Sequence, residues 1–295
     1  YGNGRRIWCM YLCPANGVFA LLAKIAPLHF RVDEAKWKAY QGQPSRVVCP
    51  PLVDIQRMKG ASDCHACGRC SGYREAVELA LRSPAREILA GDDRQPGNAQ
   101  AATLIFGLLG VGTVAMTWQG SFWFASLQAA VGRSLWSALL SVLQQHAAPW
   151  WLLANYPQAN TVFSLFDGAC LLLALLLGGG LLALAIWGAV WLAARTAADP
   201  ALSWQRLSLT LVPMAGAGLA LGLSLFTVKH LRAEGLVLAW VPFAQAALLI
   251  AGSLFSLCLG WRMTVLRPAA RRLLTLAVLA LPVMAMCAIW TEKLF

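Results

Sequence analysis

Hydrophobic and polar positions are mixed in short runs up to about residue 98, and beyond that point long uncharged runs take over. Five of them approach or exceed the roughly 20 residues a helix needs to cross a hydrocarbon core. They are Ala101–Trp118, Gly168–Ala194, Leu207–Val228, Leu236–Gly260 and Leu273–Trp290. Trp118, Trp191, Trp204, Trp261 and Trp290 stand near their ends, as an interfacial aromatic belt would. Residues 121–146 differ. Phe124, Leu127, Val131, Leu135, Ala138 and Val142 keep helical spacing there, while Gln128, Arg133 and Gln144 fall elsewhere. This predicts a helix that lies on the outer face of the membrane or re-enters from it.

The polar part reads as helical. Val18–Phe30 is a short apolar run interrupted by Lys24, Tyr73–Arg82 brings Glu78 and Arg82 to i,i+4 spacing, and Ser83-Pro84 restarts a helix through about Leu89. The chain therefore divides into a polar domain, 1–98, and a transmembrane domain, 99–295. The turn-rich stretch GDDRQPGNAQ marks the join. Pro213, Pro242 and Pro282 fall within the predicted spans, where proline kinks a helix or opens one to line a site. Gly218 with Gly222, and Gly178–Gly180, provide small surfaces for close helix packing.

Composition sharpens this picture. The 295 residues are 59% hydrophobic and 13% charged, with mean hydropathy +0.60, which is the profile of an integral membrane protein. A net charge of +11 does not indicate nucleic-acid binding, because basic excess in such proteins marks the face toward the cytoplasm and its anionic lipids. If residues 1–98 face the cytoplasm with 195–206 and 261–272, the Lys/Arg split is 20 inside against 4 outside. That is the orientation the positive-inside rule selects. The five stretches contain no Asp, Glu, Lys, Arg or His. This argues against proton-coupled transport, haem ligation and cation permeation within them. The opening GRRIWC is a basic, aromatic juncture of the kind that follows a membrane helix, so further spans are expected upstream.

The chemistry lies in the cysteines. Cys64, Cys67 and Cys70 stand in Cys-x2-Cys-x2-Cys spacing within DCHACGRC. Cys9 and Cys13 stand in Cys-x3-Cys-Pro spacing within WCMYLCP, and Cys49 also precedes a proline. Three closely spaced thiolates plus a remote Cys-Pro is the ligand pattern of a ferredoxin loop around a 4Fe–4S cube. Gly68 lies where backbone amides approach the sulfurs. We assign one cluster to Cys64, Cys67, Cys70 and Cys13, with Cys49 as the rival fourth ligand. Cys9 and the unused Cys-Pro belong either to a second cluster or to the framework. Zinc is the alternative for four thiolates. Cys170, Cys258 and Cys287 read as small apolar residues of the spans. His65 reads as a loop residue, and Asp167 and Tyr156 as capping or loop residues that also stand where a periplasmic donor would meet the chain.

With GRRIWCMYLCP followed by CHACGRC, residues 1–90 resemble the bacterial membrane polyferredoxins. That group includes the quinol-oxidising proteins of periplasmic nitrate reduction and the nitrous-oxide reductase regulators. NYPQANTVFSLFDG and LVPMAGAGLALGLSLFTVKHLRAEG look like the polyferredoxin component of bacterial ferrous-iron uptake systems. The chain departs from the regular ferredoxin run at Arg74 and Arg6, where cysteines are expected. The resemblance implies a mostly α, polytopic helical bundle in the bacterial inner membrane with an N-terminal ferredoxin-like domain facing the cytoplasm. It also implies one or two 4Fe–4S clusters passing single electrons between a cytoplasmic donor or acceptor and a membrane or periplasmic redox partner. The alternatives are a quinol dehydrogenase subunit of a respiratory reductase and a redox- or iron-sensing membrane regulator.

Overall fold

The computed structural model describes residues 14–44, 47–49, 53–58, 60–62, 64, 66–90, 97–149 and 163–294. The fold is mostly helical. Helix α1 (Pro14–Ala23) leads into strand β1 (Leu28–Val32) and the short helix α2 (Glu34–Ala39), whose first amides are capped by Asp33. After the cysteine-bearing loops come strand β2 (Val77–Leu81) and helix α3 (Arg86–Ala90). Five helices follow that are long and apolar enough to cross a membrane: α4 (Asn98–Thr117), α7 (Leu165–Ala197), α8 (Trp204–Ala233), α9 (Val241–Met263) and α10 (Ala269–Leu294). Between the first two stand α5 (Phe122–Ser134) and α6 (Ser137–Gln145).

The polar part departs from its helical reading. Residues 73–82 contain a single 3-10 turn, Tyr73–Glu75, followed by β2, because Val77, Leu79 and Leu81 alternate with period two. Phe30 likewise belongs to a strand and not to the end of an apolar helix. The two strands pair antiparallel with Leu28 opposite Leu81, Phe30 opposite Leu79 and Val32 opposite Val77, so six apolar side chains share one face. Leu22, near the end of α1, and Ile25, just beyond it, approach Gly216 of α8.

Two compact units emerge, and both contain segments remote in sequence. One combines residues 1–104 with 190–216 and 252–280. Within it, Arg206 donates to the Leu89 carbonyl, Gln205 donates to Asn98, and Arg267 pairs with Asp199. The polar region and the connections 198–203 and 264–268 therefore belong to one unit. Arg195 lies over Trp191 and Arg272 over Trp261, and both tryptophans are exposed.

The other unit combines residues 105–189, 217–251 and 281–295. Here α4 and α7 meet through glycine: a Cβ at Gly110 would lie 2.7 Å from the Gly179 carbonyl, and one at Gly179 would lie 2.9 Å from Val111 Cα. Both helices carry π-helical stretches, Thr103–Gly112 and Ala174–Gly178, beside this contact. Gly218 and Gly222 accept Trp290 and Met116, respectively, against the backbone. Trp290 is thus a core residue with 0% exposure rather than part of an aromatic belt. Residues 121–146 form two helices rather than one, because the chain turns extended at Leu135–Trp136. Phe124, Leu127, Val131 and Leu135 pack against Phe166 and Leu171, whereas Ala138 and Val142, beyond the break, face out. Asp167 and Ser164 form a capping box on α7, and Gln128 donates to Asp167 at 2.7 Å.

Two prolines also differ from their mid-span reading. Pro242 is the second residue of α9, where its missing N–H costs nothing. Pro213 follows a 3-10 turn, Leu209–Leu211, inside α8 and restarts the α-helix there. The Met214 N–H, a first-turn donor of the restarted helix, is taken by Ser256 Oγ of α9 at 3.2 Å, with Ser256 only 2% exposed. Pro282 does lie inside its helix. Replacing Ser256 by Ala should leave this donor without its cross-helix acceptor and destabilise the fold by about 1–3 kcal/mol. Ser141→Ala, at an exposed hydroxyl that bonds only its own helix, should change stability little. Thermal unfolding of both variants in the same detergent tests the contrast.

Candidate metal-binding thiol site

Four cysteines reach one place. Cys49, Cys64, Cys67 and Cys70 line a cavity of about 20 Å³ whose apolar wall includes Phe30 of β1 and Met58. Of the two strands, Phe30 is the residue that lines the site. Ile55, from the 3-10 turn Ile55–Arg57 capped by Asp54, lines it as well.

Backbone conformation brings the three closely spaced thiols to this cavity. Ala66 (φ 47°) and Gly68 (φ 75°) both take the left-handed conformation. The loop thereby coils tightly enough for the Ala66 N–H to donate to Cys64 Sγ at 3.3 Å. Gly68 has open space where a Cβ would be, so only its backbone angle demands glycine. Gly72, Arg74 and Glu75 continue the left-handed bends and turn the chain into β2. Arg74 sits over the Trp37 ring, which meets Tyr73 edge-on at 5.5 Å.

Burial pushes the Cys70 thiol above its ordinary range, and the negative charges that Cys64, Cys49 and Cys67 would carry push in the same direction. Cysteine sulfurs, once deprotonated, are soft donors of the kind that soft cations and iron–sulfur clusters take. The donor chemistry thus fits iron–sulfur or zinc ligation. Among the described residues, no group of three or more His, Cys, Asp or Glu stands at direct metal-holding distance.

The expected fourth ligand, Cys13, lies outside the described residues, as do Cys9, His65 and Tyr156. Cys49, the rival, stands in the cavity. Cys170 is buried within α7, and Cys258 and Cys287 lie in α9 and α10, outside this site.

Sequence reasoning missed the framework behind the thiols. Arg82 is not paired with Glu78 on a helix; it forms an ion pair with Glu87 at 2.6 Å. Burial would raise the Glu87 pKa, but hydrogen bonds from Ser62, Arg82 and the Ala61 amide outweigh it and hold the carboxyl below its usual range. Arg-x4-Glu spacing bridges the end of a strand and the first turn of a helix, and no periodicity signals such a pair. No family model, no curated protein and no solved structure matches the chain.

Two outcomes follow. Gly68→Ala should cost about 1–2 kcal/mol through the left-handed backbone alone, whereas Ala66→Gly, at an equally left-handed position, should be neutral or stabilising. Urea unfolding of both variants measures the difference. For Glu87, whose folded pKa is depressed, the carboxylate contributes stability above the unfolded value of 4.5. That contribution should be lost as pH falls below it. An acid titration of the protein's near-ultraviolet circular dichroism should show a transition there that Glu87→Gln weakens.

Proposed function

We propose that this chain is a membrane-bound iron–sulfur protein that passes single electrons between a cytoplasmic pool and a redox partner in the membrane or periplasm. The observation that carries this reading is the convergence of Cys49, Cys64, Cys67 and Cys70 on one cavity. The five apolar helices support a multi-pass membrane protein in contact with lipid. The Lys/Arg excess on the polar region and on its two companion loops supports a cytoplasmic location for the site.

A 4Fe–4S group bound by these thiolates supplies a reversible one-electron couple. The chain's own residues do the rest. Cys49, Cys64, Cys67 and Cys70, which line one cavity, would hold the group as thiolates. The Ala66 amide donates to the Cys64 sulfur, and Phe30, Ile55 and Met58 exclude water from one side. Amide donation and burial are the means by which a protein tunes such a centre. No bond of a substrate is made or broken by a side chain in this reading.

The test is anaerobic purification with iron, zinc and acid-labile sulfide analysis and low-temperature EPR of the reduced protein. Roughly four irons and four sulfides per chain support a single cube. Cys49→Ser should abolish or alter the EPR signal, and Cys13→Ser should leave it intact if Cys49 completes the set. One zinc per chain without sulfide would overturn the electron-transfer reading in favour of a structural thiolate site.

A further inference from the structure

The Glu87 carboxylate lies at a junction of four segments, and its side chain is only 10% exposed. Arg82 Nη1 donates to it at 2.6 Å, the Ala61 backbone N–H donates at 3.0 Å, and Lys24 Nζ stands 3.6 Å away. The Gly60 backbone is pressed against the same group: a Cβ there would lie 2.8 Å from Glu87 Cδ. One step further along the loop, the Cys64 N–H donates to the Ala61 carbonyl at 3.1 Å. The Ala61 peptide thus links Glu87 on one side to the first cysteine of the Cys-x2-Cys-x2-Cys loop on the other.

Arg82 anchors this junction from behind. Its guanidinium donates to the carbonyls of Ala23 at 2.8 Å and Ala26 at 2.9 Å, closing the C-terminal end of α1. Its own N–H donates to the Pro27 carbonyl at 2.8 Å beside β1. With a side-chain exposure of 2%, it is held from both sides and leaves the carboxylate little freedom to move. Such rigidity exceeds what a solvated surface pair provides.

We propose that Glu87 is a positioning residue for the thiol site: through the Ala61 peptide it fixes where Cys64 enters the cavity, and Arg82 holds it in place. This inference rests on the iron–sulfur reading above. Groups that orient ligands from behind commonly change metal affinity about 10- to 100-fold when removed. Glu87 has that position here, one residue removed from Cys64 through Ala61.

The test uses the full chain, purified anaerobically in detergent, with wild type, Glu87→Ala, Glu87→Gln and Gly60→Ala. The readouts are iron and sulfide content, EPR line shape, the rate of iron loss to a chelator, and folding by gel filtration and circular dichroism. Glu87→Ala should lose iron about tenfold faster than wild type with an altered EPR line shape. Glu87→Gln, which keeps an acceptor for the Ala61 amide, should recover most of the difference. Gly60→Ala keeps both charged residues but sets a methyl group against the Glu87 carboxyl, so loop and carboxylate must move apart and it should reproduce the loss even if Glu87→Ala does not fold. Wild-type iron retention and line shape in a folded Glu87→Ala or Gly60→Ala protein would overturn the inference alone. A wild-type protein without iron and sulfide would instead overturn the reading on which it rests.

Discussion

Arg82 has five N–H donors and no acceptor, and it is buried where water cannot serve them. The polar region is arranged around satisfying it. The end of α1, the turn before β1 and the carboxylate of Glu87 all supply oxygen atoms to this one side chain. A buried ion pair of this kind is weak evidence for raw stability, because both charges are taken out of water. Removing either partner leaves the other charge buried and uncompensated. The cysteine loop is built on this framework, since the Ala61 peptide belongs to both.

The membrane helices obey the same demand for satisfied polar groups in a harsher solvent. Polar groups are satisfied across helices where the regular pattern leaves them open. The restarted α8 borrows Ser256 from α9, and Gln245 of α9 donates to Ser224 of α8 at 2.8 Å. Where no polar group is available, glycine lets the backbones approach instead, as at Gly110 and Gly179. Close packing, rather than burial away from water, holds helices together when lipid is the solvent.

Much of this was legible in the sequence, for physical reasons. A run of 20 uncharged residues has few conformations open to it in lipid, so each of the five spans was found, with boundaries a few residues away from the helix ends. The apolar run beginning at Leu236 takes in Leu236–Trp240, which precede α9, because apolar turn residues carry no polar signal; Gly235, at φ 85°, stands just past the end of α8. The strands were missed because Glu-Ala-Val-Glu-Leu-Ala-Leu is rich in helix formers, and pairing with β1 overrides that propensity. Trp290 was misplaced because position along a helix does not tell which face its neighbours cover. The three clustered thiols were evident from spacing. Cys49, named as a rival ligand from its Cys-Pro pattern, lines the same cavity as these thiols, with Val47, Val53, Ile55 and Met58 beside Phe30; that spacing does not encode which distant segments surround it.

Helix α7 carries one more implication. Its 33 residues extend to about 50 Å at 1.5 Å per residue, against a hydrocarbon layer of roughly 30 Å. Such a rod either leans well away from the bilayer normal or projects beyond it, and its lean follows the thickness of the surrounding lipid. A thicker bilayer would stand it more upright and a thinner one would lay it over. Within a bilayer, a helix of this length would couple the protein's lateral footprint to the thickness of the lipid around it.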